Sequence, residues 1–277
     1  MLAGRYCNAL LAASLLAASS ASAQTAPSES AAKAPTQRVD FVGCRSVGQV
    51  GLIDPPRGES KVISVPAEAA QKLAYYQAKE GFGVLAPRGW HCFSIYGSGG
   101  SSLFVSPNPI KNSELFSADG NGFTGDVIQA SVSYGDTSGR FEVARIAARI
   151  FPAYKRWAQS VIAEGPDPEV PYVFGPFPSD TLYAVRTNFV AFETPANTQG
   201  LGTQSRLVAN AQPIRGVALL YGREPTLVQV SVRLQENQSE LLGPILLGSG
   251  RHRSNRGSAH SGELRVGVWY GAEGSGH

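Results

Sequence analysis

The chain has 277 residues, 24 Lys+Arg against 21 Asp+Glu, and a formal charge of +3. Hydrophobic residues make up 43% and charged residues 16%. That apolar share excludes a disordered chain, and the near-neutral balance argues against a dedicated nucleic-acid binder, whose basic face dominates its charge.

Arg5 is the only charge before Glu29. Ala9 to Ala18 is an Ala/Leu run broken only by Ser14, and Ala21-Ser22-Ala23 follows it. This is the pattern of a secretory signal peptide over 1–23, cut before Gln24. A run of about ten apolar residues cannot cross a bilayer core, which needs about 20. No transmembrane segment is expected after cleavage. The expected location is the bacterial periplasm or exterior. Residues 24–37, rich in Ala, Pro and Ser, read as a flexible linker. Order is expected from Val39, in a single domain over 38–248.

Removal of the signal leaves two of the three cysteines, Cys44 and Cys92. An even pair in an oxidising compartment predicts a disulfide. The alternative, a reactive Cys92 thiol helped by His91, is poorly placed, because neighbours on a strand face opposite ways.

Pro66 in a first turn and Ala67 to Lys79 predict a helix ended by Gly81. Short strands are expected at Gly83–Pro87, Trp90–Tyr96 and Ser101–Ser106. Asp126 to Tyr134 alternates, with Ile128, Ala130, Val132 and Tyr134 against Gln129, Ser131 and Ser133. Leu227 to Leu234 repeats this, with Val228, Val230, Val232 and Leu234 against Gln229, Ser231 and Arg233. Both read as antiparallel strands with one solvated face. Phe141 to Glu164 carries apolar residues at helical spacing, and Pro152 must kink or split it. Thr181–Glu193 and Gly216–Tyr221 predict further strands. Asn237 is expected to cap a last helix over Gln238–Leu247. The fold class is therefore α+β: an antiparallel sheet packed by two or three helices as an α/β sandwich.

The tail from 249 to 277 is rich in Gly, Ser and Arg. It reads as a disordered basic segment; metal binding through His252 and His260, or an end without an evolved role, are the alternatives.

Gly120-Asn121-Gly122-Phe123-Thr124-Gly125 matches a dinucleotide fingerprint but precedes a strand instead of opening a helix, so it reads as a turn. Asp119, Asn121 and Asp126 offer oxygen ligands for calcium without full EF-hand spacing. No cofactor and no metal are assigned. The loop Gly97–Ser102 reads as a hairpin turn that uses glycine for positive φ. Its alternative role is catalytic: Ser98 or Ser101 as a hydrolase nucleophile with His91, the sole core histidine. Arg145, Arg149 and Arg156 lie along the polar side of the long helix, as a solvated face partly paired with Glu142 or as an anion or partner patch.

Phe82-Gly83-Val84-Leu85-Ala86-Pro87-Arg88-Gly89-Trp90 resembles the opening of PsbP-like and DcrB-like domains, an apolar strand followed by Pro, any residue, Gly and Trp. The resemblance covers about residues 80–248. It implies an α/β sandwich serving as a non-catalytic accessory or assembly module in an exported compartment. It supplies no catalytic residue, and Trp90 would pack between sheet and helix. The expected function is an exported non-catalytic module that binds a partner protein, an envelope component or a small ligand. The alternative is the serine-type hydrolase.

Overall fold

The computed structural model describes residues 35–110, 122–165, 172–204 and 206–249. The expected signal peptide, most of the linker, the Asp119 and Asn121 positions and nearly all of the tail lie outside these residues.

Strand β1 (Thr36–Gly48) organises the sheet. Its first half pairs antiparallel with β3 (Lys61–Ser64) and parallel with β4 (Leu73–Ala78). Its second half pairs antiparallel with β2 (Gly51–Ile53) and parallel with β6 (His91–Gly97). β5 (Val84–Pro87) pairs with β4. From β6 the sheet continues antiparallel through β7 (Gly100–Ser106), β8 (Val127–Ser133), β12 (Thr226–Arg233), β11 (Ile214–Tyr221), β10 (Phe189–Thr194) and β9 (Thr181–Arg186). The molecule is thus a sheet-dominated α+β fold, and the sheet is mixed where antiparallel pairing alone was expected. Order also begins earlier than expected, since Thr36 and Gln37 already pair with Ser64 and Ile63.

The Cys44–Cys92 disulfide is present, with Cα atoms 5.4 Å apart. Its position explains its use. Cys44 is the last β1 residue paired with β4, and Arg45 is the first paired with β6. The bond therefore fastens β1 to β6 at the point where β1 passes from one set of partners to the other.

Helix α1 (Ala67–Lys72) is only six residues long. The expected helix stops there because Leu73 to Ala78 finds backbone partners on two sides, β1 and β5. In-sheet pairing and the burial of Leu73, Ala74, Tyr76 and Ala78 outweigh the helix preference of an Ala/Gln/Lys-rich run. The long helical segment splits as its proline requires: α2 (Arg140–Ile150), a 3₁₀ turn at Pro152–Tyr154, and α3 (Lys155–Ala163). Thr181–Glu193 is two strands, β9 and β10, folded as a hairpin at Thr187-Asn188, where Asn188 both accepts from the Leu220 amide and donates to its carbonyl. At the end, Glu236–Leu241 forms a 3₁₀ segment and α4 covers Leu242–Ser249. The capped α-helix expected from Gln238 would put Pro244 in its interior, where the ring clashes with the turn before it; in α4 Pro244 sits in the first turn, where its missing N–H is harmless.

Two apolar clusters use opposite faces of the sheet. One gathers Leu103, Val105, Ile128, Ala130, Val132, Val230 and Val232 with Leu73, Tyr76 and Leu85 and with Ile245 and Leu246 of α4. Trp90 is half-buried against this cluster, and its backbone N–H donates to the Tyr76 hydroxyl at 3.1 Å. The other cluster packs Val143, Ile146, Ala147 and Ile150 of α2 on Val190, Phe192, Ala218, Leu220 and Leu227.

Candidate functional site

The second face is apolar under α2 and α3 and again around Phe93 and Phe104 and around Val127, Leu207 and Ile214. Across β7, β8 and β12 it is built of Ser and Gln, and it forms the floor of a cleft of about 500 Å³. Such a volume is typical of small-ligand sites, roughly 300–1,000 Å³. The floor follows from strand register. Gln129 of β8 lies opposite Ser231 of β12, and Ser131 lies opposite Gln229. With a side-chain period of two, all four point to one face.

These groups bond to one another. The Gln129 amide Nε2 donates to Ser131 Oγ at 2.8 Å, and Gln229 Nε2 donates to Ser231 Oγ at 3.3 Å. Ser102 Oγ of β7 lies 2.8 Å from Ser131 Oγ. The sequence pattern places this face in water; the structure corrects that. Gln129 is 5% exposed, Gln229 9% and Ser231 2%. Polar side chains at such depth are kept because they are bonded.

Two walls rise from the floor. α2 supplies Glu142 and Arg145, ion-paired at 3.1 Å. Burial around Glu142 raises its carboxyl above the ordinary carboxylate range, and the neighbouring Arg145 charge partly opposes this. The other wall is Gln204 and Arg206. The Arg206 amide donates to Gln129 Oε1 at 3.4 Å, and its carbonyl accepts from the Phe123 amide at 2.6 Å. Among the described residues no carboxylate pairs with the Arg206 guanidinium. Ile95, Phe104 and Leu227 give the cleft an apolar margin.

Arg233 holds the second wall from beneath. Alternation along β12 predicts it in solvent, yet it is 0% exposed. Its guanidinium donates to the carbonyls of Phe123 (2.9 Å), Gly125 (3.3 Å) and Val208. Burial disfavours its charge, and the Asp126 carboxylate counters that effect. Asp126, offered as a calcium ligand by the sequence, is itself buried.

The expected arginine patch divides. Arg145 lines the cleft. Arg149 lies over the Phe177 ring, 4.0 Å from its centroid, and donates to the Gly175 carbonyl at 3.3 Å. Arg156 is exposed on α3. The hydrolase residues are not brought together either. β6–β7 register sets His91 opposite Ser106 and Tyr96 opposite Ser101. Five residue steps along β6 separate the two ends, about 17 Å. Ser98 Oγ instead accepts from Gln49 Nε2 at 3.3 Å and lies 3.5 Å from Ser138 Oγ. The loop is a tight hairpin turn, with Gly97 opposite Gly100 and Gly100 at φ +152°.

The floor and the Arg206 wall were missed by sequence reasoning, although a signal existed. Ile128-Gln-Ala-Ser-Val-Ser and Val228-Gln-Val-Ser-Val-Arg carry the same Gln-x-Ser spacing, which antiparallel pairing turns into a crossed square. Among the described residues no helix is long and apolar enough to cross a membrane. Compared with protein-family models, curated proteins and solved structures, the chain finds no match.

Proposed function

We propose that this protein is an exported, non-catalytic module that binds a small ligand or envelope component in the Ser/Gln cleft. The observation that carries the reading is the Ser/Gln square, with Gln129, Gln229 and Ser231 buried and a guanidinium on each wall. A solvated sheet face has no reason to sink neutral polar groups to a few per cent exposure. A floor built to hydrogen-bond something laid on it does. The floor holds no ionisable side chain, which favours binding over turnover. The disulfide and the expected signal peptide support export. The reading as a PsbP-like or DcrB-like module is supported by α2 and α3 packing in one apolar cluster and α4 in the other, with Trp90 half-buried against the latter.

The test is native mass spectrometry of the protein purified from its own host, beside Ser102→Tyr. Ser102 is a half-exposed floor position, so the larger side chain fills the cleft and leaves both cores intact. A co-purified small molecule is expected in the unmodified protein and absent from S102Y at unchanged Tm. A ligand retained in full by S102Y refutes the cleft as the site. A co-purified protein subunit in place of a small molecule refutes the small-ligand reading.

A further inference from the structure

We infer that the cleft takes a small hydroxylated ligand bearing one oxyanion, such as a sugar carboxylate or sugar phosphate, with Arg206 as its anion anchor. This rests on the cleft being the binding site and adds the chemistry it selects.

The hydrogen-bond inventory carries the inference. Ser102 and Ser131 share one bond between two hydroxyls, so one O–H is left to donate. Ser131 already accepts from Gln129. Ser231 accepts from Gln229 and keeps its own proton to donate. Each glutamine amide has a second N–H beyond the bond described. Gln129 Oε1 accepts from the Arg206 amide with one of its two lone pairs. Gln229 Oε1 and the spare lone pairs of the hydroxyls add acceptors, so the floor both donates and accepts, and its complement is a ligand that does both, as hydroxyl groups do.

Charge adds the oxyanion. Arg145 is engaged by Glu142, whereas Arg206 has no carboxylate partner among the described residues. The Arg206 backbone is fixed on both sides, by Gln129 and by Phe123. Its guanidinium therefore starts from an anchored stem, which lowers the ordering cost of a bidentate contact. The hydroxyl and amide floor suits sugar hydroxyls. Ile95, Phe104 and Leu227 suit the C–H surface of a ring, which a bare inorganic anion lacks.

The test is titration of the full chain, followed by NMR, with four probes: glucuronate, glucose phosphate, glucose and inorganic phosphate. Either acidic sugar is expected to shift the amides of the β7, β8 and β12 floor, with glucose and inorganic phosphate each at least ten-fold weaker. Which acidic sugar binds tighter distinguishes carboxylate from phosphate. Arg206→Gln is expected to weaken the acidic sugar about ten-fold, a loss equal to 1.4 kcal/mol. Glu142→Gln is expected to strengthen it by freeing Arg145, an effect that a purely structural role would not produce. Added salt weakens an anion contact of this kind. Glucose binding in the cleft as tightly as glucuronate overturns the anion assignment and leaves the cleft reading standing. Inorganic phosphate binding as tightly overturns the sugar assignment. An R206Q variant of unchanged affinity removes Arg206 from its role. Shifts confined to residues outside the floor refute the cleft itself.

Discussion

Replacing Arg233 by Met tests the wall of the cleft and a fully buried cation together. Met fills much of the same space without a donor. The carbonyls of Phe123, Gly125 and Val208 then lose their shared partner, and Asp126 keeps a buried charge with less compensation. An orphaned buried polar group costs about 1–3 kcal/mol. Gly125 and Val208 are exposed, so water can recover part of that loss at their carbonyls. The net expectation for R233M is about 3–5 kcal/mol, the range for removing one partner from a buried charged network. Urea unfolding should show the midpoint falling at constant m. Hydrogen exchange should accelerate first at Phe123 and Val208, whose amides form the bridge between the two segments. Arg233→Lys should recover only part of the loss, because one ammonium cannot reach three carbonyls in fork geometry. A loss below about 1 kcal/mol, or exchange that rises uniformly through the sheet, would refute the idea that Arg233 pins this wall.

The double variant Cys44→Ala/Cys92→Ala should lose about 4 kcal/mol in urea unfolding, from a bridge spanning 48 positions; a loss under about 1 kcal/mol would deny the bond its role where β1 changes partners. Gly100→Ala should cost about 1–3 kcal/mol, since Gly100 has φ +152° and an added Cβ would meet the Val132 carbonyl oxygen at 2.0 Å. Gly97→Ala, with nothing within 4 Å of the added Cβ, is its near-neutral control in the same melt. Glu142 and Asp180 both have carboxyls raised chiefly by burial. The native state then holds more protons than the unfolded chain between the ordinary carboxylate range and the raised values, so stability falls as pH rises through that window. Glu142→Gln should flatten this slope in stability measured against pH, and an unchanged slope would show that Glu142 titrates normally.

Much of the sheet was legible. Alternation located β8 and β12, because a strand with one core face needs an apolar residue at every second position. Pro152 announced the break between α2 and α3, since no α-helix interior accommodates its ring. The cysteine pair was legible from its even number and the expected compartment. What failed has a common cause. Leu73 to Ala78 is helical by local preference and strand by partnership. Those partners, β1 and β5, lie on either side of it only once the chain has folded. The hairpin at Thr187-Asn188 was missed because neither Gly nor Pro marks it.

The cleft shows the same limit at the level of function. Period-two alternation tells which residues of one strand share a face, and it grouped Gln129 with Ser131, and Gln229 with Ser231 and Arg233; that the two groups meet on one face comes from the β8–β12 register. Alternation does not tell what lies above that face. The assignment to solvent assumed that polar means wet. Here α2 on one side and Gln204 and Arg206 on the other line the strip, and the buried Arg233 guanidinium holds the carbonyls of Phe123 and Val208 next to the second of these. The shared Gln-x-Ser spacing lets each amide donate to the hydroxyl two residues along its own strand, and Ser102 joins β7 to β8 through Ser131, so the polar face satisfies part of its own hydrogen bonding. A face meant only for solvent gains nothing from that arrangement. One that must stay ordered between visits of a ligand gains a floor whose polar groups are already held in place.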